Sequence, residues 1–349
     1  MSLPRKTVRV MVVDDSAVAR NLIIRGLSGR PQIEVVGYAI NALDAKSKIP
    51  VLKPDVITMD VEMPGMSGID FLKQFLPTHP VPVILVSSLN LRVFDALAAG
   101  AVDFVRKPDG IQGNEAFLSA LTQKIIVASC AKVRQGGAAA LRRMETAAPA
   151  PSLGVRPALD NVIIGLGAST GGTEATLQVM KRLPADIPGM IIVQHMPTGF
   201  TKMYAERLNR LCAMEVKEGE NGDIIRRGRV LVAPADLQAR VVKTGGHYTL
   251  SCRKDEKISG HRPSVDALFL SMAGIADRKT VGILMTGMGR DGAEGLLNMR
   301  RNGAYTIGQD KDSSVVYGMP KVAFDIGAVR IQASCEDIAA VLLRHLNSL

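Results

Sequence analysis

Hydrophobic residues in the first third of the chain follow two alternating periods. From Thr7 onward, short runs rich in β-branched residues alternate with amphipathic stretches of helical period. The runs predicted as strands are TVRVMVV, IEVVGYA, DVITMDV, VPVILVSS and AVDFVRK, and each is followed by a stretch predicted as a helix. Strict alternation of this kind is typical of a parallel sheet with helices on both faces. The pattern therefore predicts a doubly wound (βα)5 domain.

The C-terminal part of the chain shows a second α/β pattern. The buried runs VIIG, GMIIV and VGILM each end in a polar or glycine-rich turn that leads into a predicted helix. The stretch KTGGHYTL predicts the tip of an antiparallel hairpin, and CEDIAAVLLRHLNSL predicts a final helix. These signals predict a second doubly wound domain that is mostly parallel and carries one antiparallel hairpin.

A segment of different composition separates the two patterns. It reads QGGAAALRRMETAAPAPSLGVRPALD, is rich in Ala, Pro and Gly, and has no sustained apolar period, which is typical of a linker. A chain of 349 residues also exceeds the size at which one hydrophobic core stops growing. We therefore predict a first domain over residues 5–125, a flexible linker over 126–158 and a second domain over 159–349.

The net charge of +10 does not alter the prediction of two globular α/β domains joined by a linker. Residues 126–158 carry 5 basic residues and 1 acidic residue, so much of the excess lies in the linker and both domains are close to neutral. We therefore expect no nucleic-acid partner. No apolar run is long enough to span a bilayer, and the basic start is followed by only a brief apolar stretch that runs into Asp14 and Asp15. We therefore expect no membrane insertion, no secretory signal and a cytoplasmic location.

Charged and hydroxyl side chains follow the predicted strands of the first domain. Asp14 and Asp15 follow the first strand, Asp60 the third, Ser87 the fourth and Lys107 the fifth. The carboxyl ends of parallel strands lie at one edge of the sheet, where ligands bind. Three carboxylates repel one another unless a cation lies among them, and oxygen ligands suit Mg²⁺. The lysine adds a point charge for an anion.

Through the motifs VVDDS, MDVEMPGMSG, LVSS and FVRKP, residues 7–125 resemble a response-regulator receiver domain. The resemblance implies that Asp60 accepts a phosphoryl group and that Phe104 is the aromatic residue of the family's conformational switch. The residues implied to contact the phosphoryl group are Ser87 and Lys107. The implied Mg²⁺ ligands are Asp14, Asp15, Asp60 and the backbone of Glu62.

The first candidate functional motif of the second domain is the glycine-rich stretch GLGASTGGTEA. The dinucleotide fingerprint G-x-G-x-x-G fails here, because Thr170 stands where its third glycine belongs. The nucleophile pattern G-x-S-x-G fits residues 167–171 and singles out Ser169. Serine and glycine are also common in plain strand-to-helix turns, so this stretch alone leaves both interpretations open.

A nucleophilic serine needs a base, and the base needs an acid to orient it. His195 ends the next predicted strand, at the same edge of the sheet as Ser169, while His261 in SGHRPSVD is the second candidate base. The remaining histidines have solvated or structural interpretations, and His345 is predicted to be exposed on the last helix. Asp291 follows a buried strand at the start of a helix, where it can act as the acid or as a helix N-cap.

The segments ASTGGTEA, QHMP, GFTKMYAERL and LMTGMGRDGAEG resemble the catalytic domain of the chemotaxis protein-glutamate methylesterases, the CheB family, over about residues 160–348. The resemblance implies that Ser169 is the nucleophile, His195 the base and Asp291 its orienting acid. It also implies that the backbone N–H of Met288 belongs to the oxyanion hole and that the esterase reaction uses no cofactor. One departure is visible: the family often reads APGDxH where this chain has APADLQ.

Together the two resemblances imply a phosphorylation-regulated serine hydrolase that demethylates glutamate methyl esters on chemoreceptors and releases methanol, with glutamine deamidation as a second activity. A chemotaxis histidine kinase would be the phosphodonor, and we expect the unphosphorylated receiver to restrict access of the substrate. Two alternatives without hydrolase activity are a receiver-controlled transcriptional regulator and a receiver-controlled adaptor. The first would need a short domain with a basic recognition helix, and the second would not need an intact Ser-His-Asp set.

Overall fold

The computed structural model describes five stretches of the chain, which are residues 7–88, 92–108, 113–133, 149–277 and 279–349. The chain divides into two compact units, Met1–Glu145 and Thr146–Leu349. Of the predicted linker, residues 134–148 lie outside the described stretches. The domain boundaries at residues 125 and 158 stay a prediction.

The first unit is a five-stranded parallel sheet, as the alternating pattern predicts. Its strands are β1 (Val8–Val13), β2 (Ile33–Ala39), β3 (Val56–Asp60), β4 (Val83–Ser87) and β5 (Asp103–Arg106). Its helices are α1 (Ala17–Ser28), α2 (Ala42–Leu52), α3 (Gly68–Phe75), α4 (Arg92–Ala98) and α5 (Asn114–Ala128). The strand order is β2-β1-β3-β4-β5, so the direction of winding reverses between β1 and β3, where such sheets bind ligands.

The second unit has a seven-stranded parallel sheet and a separate antiparallel hairpin, which confirms the predicted fold class. The sheet strands are β6 (Ile163–Ala168), β7 (Gly189–Gln194), β8 (Glu215–Glu218), β9 (Arg229–Val232), β12 (Thr280–Leu284), β13 (Tyr305–Gln309) and β14 (Ile331–Ala333), and the hairpin strands are β10 (Gln238–Thr244) and β11 (His247–Arg253). The helices are α6 (Gly172–Met180), α7 (Phe200–Leu211), α8 (Val265–Ala273), α9 (Ala293–Arg301), α10 (Met319–Asp325) and α11 (Ile338–Asn347). The sheet order is β14-β13-β12-β6-β7-β9-β8. Within the described stretches, no helix combines the length and the apolar composition that crossing a membrane requires.

Two glycines of β6 set the distance between this strand and helix α8. A Cβ atom at Gly165 would lie 2.6 Å from Sδ of Met272, and one at Gly167 would overlap the side chain of Val265. Both contacts are with α8, which therefore packs directly on the backbone of β6. Gly167 is thus required by helix packing, whereas Gly171, with φ at +76°, occupies the left-handed region that glycine adopts without strain.

The predicted exposure of His345 is wrong. This residue on α11 is half-buried, and its ring stacks on Tyr305 at the start of β13 with ring centroids 3.9 Å apart. The helical pattern alone could not reveal this contact, because the partner ring comes from a strand 40 residues earlier in the chain.

Candidate active site

The turn after β6 holds Ser169 through its backbone. The N–H of Ser169 donates to the carbonyl oxygen of Thr286 at 2.9 Å. The carbonyl oxygen of Ser169 accepts from the N–H of Gly172 at 2.7 Å and from Nε2 of Gln194 at 2.8 Å. Three backbone bonds therefore fix the turn without using the hydroxyl group, and the side chain lies where α6 begins.

Strand pairing places His195 beside Ser169. Ala168 pairs with Gln194 in the parallel register of β6 and β7, and the N–H of His195 donates to the carbonyl oxygen of Ala168 at 3.1 Å. The two candidate residues thus follow paired positions at one edge of the sheet. Nε2 of His195 lies 2.8 Å from Oδ2 of Asp291, and Nδ1 is buried with no hydrogen-bond partner among the described residues. When Nε2 carries the proton toward the carboxylate, the lone pair of Nδ1 can accept one.

Asp291 is bound by the N-terminus of a helix other than its own. Its carboxylate accepts from Oγ of Ser264 at 2.6 Å, from the N–H of Val265 at 2.7 Å and from the N–H of Asp266 at 3.0 Å. These donors form the start of α8. The alternative interpretation of Asp291 as the N-cap of its own following helix does not hold, because the N-cap of α9 is Gly292, which has no side-chain cap.

The surroundings of Asp291 favour its ionised form. Burial by itself raises the pKa of this carboxyl, whose side chain is 1% exposed. The hydrogen bond and charge of His195 act in the opposite direction, as do the bonds from Ser264 and Asp266. These contacts outweigh burial and hold the pKa of Asp291 below its usual value.

The second candidate base, His261, lies against the face of the first. The rings of His195 and His261 are stacked, with centroids 3.9 Å apart and planes 10° apart. Asp291 bonds to His195, so the structure pairs the acid with the base that the sequence ranks first. The backbone of His261 is fixed by its N–H to the carbonyl oxygen of Ile258 at 2.9 Å.

The stretch APADLQ, where the chain departs from the family pattern, ends in a buried residue that forms hydrogen bonds with the backbone of the neighbouring segment. Gln238 stands at the last position of this stretch and is fully buried. Its Nε2 donates to the carbonyl oxygens of Glu256 at 2.9 Å and His261 at 3.0 Å, and its Oε1 accepts from the N–H of Ser264 at 2.9 Å. One amide side chain thus fastens the segment that carries His261 and leads into α8.

The loop after β12 brings Met288 to the Ser169 turn. A Cβ atom at Gly287 would lie 2.7 Å from Cβ of Ser169, so glycine is required for this approach. The carbonyl oxygen of Gly287 accepts from the N–H groups of Gly318 at 3.1 Å and Met319 at 2.8 Å, which fixes the loop on its other side. Met288 is the next residue and is half-buried. Its role in an oxyanion hole stays a prediction.

Sequence reasoning missed three residues that hold this site together. Gln194 positions the carbonyl groups of Ser169 and His195, Ser264 donates to Asp291, and Asp266 contributes a backbone N–H to the same carboxylate. A polar residue at the end of the apolar strand GMIIVQ is a signal that could have identified Gln194. Ser264 and Asp266 show only the pattern of a helix N-terminus, because their partner Asp291 is distant in sequence.

The first unit gathers its predicted residues at the point where the winding reverses. Single oxygen atoms of Asp14, Asp15 and Asp60 all lie within 4.8 Å of one another. Nζ of Lys107 lies 2.5 Å from Oδ2 of Asp60 and 3.0 Å from Oδ2 of Asp14. Burial raises the pKa of Asp14, the charge and hydrogen bond of Lys107 lower it, the charge of Asp60 raises it, and the net direction is upward. Three carboxylates beside one lysine form an oxygen-only donor set with excess negative charge, which fits Mg²⁺.

Of the remaining predicted residues of this unit, Glu62 and Ser87 form hydrogen bonds with members of this cluster. The N–H of Glu62 donates to Oδ1 of Asp60 at 3.2 Å. Ser87 is buried at the end of β4, and its carbonyl oxygen accepts from the N–H of Lys107 at 2.8 Å. Phe104 is buried in β5 and meets Phe94 of α4 edge to face, with centroids 6.4 Å apart.

Comparison with known proteins gives concordant results for both units. The family model described as CheB methylesterase matches residues 164–342, and the response regulator receiver domain model matches residues 10–115. A curated relative from Syntrophomonas wolfei subsp. wolfei, named protein-glutamate methylesterase/protein-glutamine glutaminase 2, is 48% identical over 99% of both chains. A relative from Caulobacter vibrioides with the corresponding name is 44% identical over 96% of this chain and 97% of its own.

A solved structure agrees with these matches. The CheB methylesterase catalytic domain of Thermotoga maritima is 34% identical, with a TM-score of 0.51 over 52% of this chain and 97% of that domain. The comparisons lend no support to a transcriptional regulator or to an adaptor without hydrolase activity.

Proposed function

Because this chain belongs to the CheB methylesterase family, we propose that it is a phosphorylation-regulated serine hydrolase that demethylates glutamate methyl esters on chemoreceptors and releases methanol. The relatives' names describe this esterase activity together with a glutaminase activity. The observation that carries the proposal is the hydrogen bond between His195 and the buried Asp291, formed beside the turn of Ser169. A base fixed by an ionised acid next to a serine is the arrangement that nucleophilic acyl transfer requires.

The reaction follows from these three side chains. Nδ1 of His195 takes the hydroxyl proton while Oγ of Ser169 attacks the ester carbonyl carbon, giving a tetrahedral intermediate. Its collapse breaks the bond to the methoxy oxygen, which leaves as methanol with the proton from His195. Water then attacks the acyl-serine with the same base, which releases the glutamate carboxylate and the serine. Asp291 stays ionised throughout and stabilises the imidazolium form of His195.

We assign the oxyanion hole to the loop after β12. The backbone N–H of Met288 would donate to the developing oxyanion, because the absence of a side chain at Gly287 allows this loop to lie in close contact with Ser169. Removing one such donor typically costs about 10²- to 10³-fold in kcat.

A glutamine side chain can enter the same reaction. Attack on its carboxamide leads to the same acyl-serine, with ammonia as the leaving group in place of methanol. The triad therefore supports deamidation as the second activity, and neither reaction needs a cofactor in this unit.

The receiver supplies the regulation in this proposal. Asp60 would accept a phosphoryl group from a chemotaxis histidine kinase, and Asp14, Asp15, Asp60 and the backbone of Glu62 would hold Mg²⁺. The cation, when bound, neutralises charge on the phosphoryl oxygens. Ser87 and Lys107 would contact these oxygens, and Phe104 would respond to the phosphorylated state. A cytoplasmic enzyme with neither nucleic-acid binding nor membrane insertion fits these partners.

An assay of methanol release tests the proposal as a whole. The purified chain is incubated with membranes that carry methylated chemoreceptors, with and without a small-molecule phosphodonor and Mg²⁺. We expect methanol release in both cases and a higher rate with the phosphodonor. A complete lack of methanol release under both conditions would show that receptor methyl esters are not the substrate.

A further inference from the structure

Helix α8 begins at the carboxylate of Asp291, which directly precedes helix α9, and α9 begins at the carboxylate of Asp266, which lies in α8. Asp291, one residue before the N-cap of α9, accepts from the N–H groups of Val265 and Asp266 in the first turn of α8. Asp266 makes the corresponding contact with α9: its Oδ1 accepts from the N–H of Gly295 at 2.8 Å. The two aspartates therefore cap each other's helices.

Helix α9 depends on this outside cap. Its own N-cap is Gly292, which has φ at +88° and no side chain to bond the free N–H groups of the first turn. Asp266 reaches these groups because the two helices are in close contact. A Cβ atom at Gly295 would lie 2.6 Å from Cβ of Phe269 on α8, so a larger residue would force the helices apart.

The side chain of Asp266 is itself held in place. It is 5% exposed, and Oγ of Ser259 donates to its Oδ2 at 3.0 Å. Both oxygens are thus occupied, one by α9 and one by the segment before α8. Asp266 therefore connects three pieces of chain around the carboxylate that orients His195.

This arrangement determines how Asp291 can move. Its carboxylate is bonded to the start of α8, while its backbone leads directly into α9. If α9 moved relative to α8, the carboxylate would have to leave either its N–H donors or His195. We propose that Asp266 is a positioning residue for Asp291, holding its carboxylate on Nε2 of His195 by fastening the first turn of α9 to α8. The inference rests on the proposed triad.

The side chain of Asp266 contributes both a hydrogen-bond acceptor and a titratable negative charge, and the two contributions can be tested separately. Burial raises the pKa of Asp266, the bond from Gly295 lowers it, the nearby charge of Asp291 raises it, and the net direction is upward. Ionisation of this group therefore disfavours the folded state as the pH rises through the raised pKa. An asparagine keeps an oxygen acceptor for Gly295 and carries no charge. Asp266→Asn should thus retain the positioning role and be at least as stable as the wild type at neutral pH.

The test compares Asp266→Ala with Asp266→Asn in the full-length chain. A small methyl ester serves as substrate, so that receptor binding does not enter the rate. For the alanine variant we expect kcat to fall about 10- to 100-fold with KM within about twofold, since displacement of a catalytic group by about 1 Å has effects of this size. For the asparagine variant we expect kcat within about threefold of the wild type.

Proton NMR provides a readout that a purely structural role would leave unchanged. The proton between His195 and Asp291 should give a far-downfield resonance in the wild type and in Asp266→Asn. In Asp266→Ala we expect this resonance to move upfield or to broaden beyond detection. If Asp266→Ala does not fold, Ser259→Ala replaces it, because it removes only the donor to Asp266. We then expect a fall of about 3- to 10-fold in kcat.

Two control variants complete the design. Asp186→Ala removes a carboxylate that accepts from the N–H of Leu153 and pairs with Arg227, before the start of β7 and thus at the other end of that strand from His195. It should lower the melting temperature and leave kcat unchanged.

Ser169→Ala tests the triad separately: if it hydrolyses the ester normally, the proposed function is wrong. If Ser169→Ala is inactive but Asp266→Ala keeps kcat within twofold and an unshifted resonance, the positioning role is wrong. Equal losses in Asp266→Ala and Asp266→Asn would also overturn it.

Discussion

At the scale of single residues, we expect substitution of Ser169 to affect catalysis without affecting stability. Its three backbone bonds persist when the hydroxyl is removed. We therefore predict that Ser169→Ala lowers kcat for a small methyl ester by a factor on the order of 10⁶, in line with the loss of another serine nucleophile. The melting temperature should stay within about 1 °C of the wild type. A variant that keeps a tenth or more of the wild-type rate would exclude Ser169 as the nucleophile.

Asp291 links the active site to the pH dependence of folding. The folded state holds the pKa of this carboxyl below its unfolded value of about 3.9. Its contribution to stability is therefore complete above about pH 4 and is lost as the pH falls through the lowered folded pKa. In Asp291→Asn, an amide group faces donors that need an acceptor, at a cost of about 1–3 kcal/mol.

Calorimetry across pH tests this prediction. We expect Asp291→Asn to melt below the wild type at pH 7 and the difference to shrink as the pH falls below about 4. Ser169→Ala is the matched control, because it alters the same site without a titrating group. A difference that stays constant from pH 7 to pH 3 would show that the charge of Asp291 does not contribute to stability.

At the scale of secondary-structure elements, the sequence predicts both sites from one rule. Because parallel strands present their carboxyl ends at a common edge, Asp14, Asp60 and Lys107 come together in the first unit, and Ser169 and His195 do so in the second. The alternating hydrophobic pattern is sufficient for this inference. It needs only the order of the strands and the residue that follows each one.

The contacts of α8 could not be predicted in this way. Asp291 bonds to a helix that begins some 25 residues earlier, and Gln238 fastens that helix from the preceding hairpin. Such partners depend on how elements cross in space, and a local pattern does not encode the crossing. For the same reason the sequence showed Gly167 as part of a nucleophile turn, whereas the structure shows its contact with Val265.

The packing of α8 on β6 leads to a prediction for Gly167→Ala. The added Cβ would overlap Val265, so α8 must shift, and overpacking of this kind costs about 1–3 kcal/mol. Because the start of α8 binds Asp291, we also expect kcat to fall. Adding Val265→Ala should restore part of both losses. Gly274→Ala is the control, since the nearest non-neighbouring atom that the structure describes, the carbonyl oxygen of Ser271, would lie 3.7 Å from the added atom. Equal stabilities of Gly167→Ala and the wild type would contradict this account of the packing.

At the scale of the whole molecule, the proposed function assigns phosphorylation and hydrolysis to separate sets of residues. We predict that Asp60→Asn prevents incorporation of phosphate and leaves basal methanol release unchanged. A chelator of Mg²⁺ should have the same two effects on the wild type, because the three carboxylates need the cation for phosphorylation only. A phosphodonor should raise the rate of the wild type and not that of Asp60→Asn. Stable incorporation of labelled phosphate into the variant would exclude Asp60 as the acceptor.

The central claim is that His195, oriented by Asp291, activates Ser169, and chemical labelling tests it most directly. The full-length chain is treated with a serine-directed fluorophosphonate, and the modified residue is identified by peptide mass spectrometry as a function of time. The account predicts rapid modification at Ser169 in the wild type and modification slower by at least about 10²-fold in His195→Ala, where the hydroxyl remains but its base is missing. Modification at another residue, or an equal rate at Ser169 in the two proteins, would contradict it.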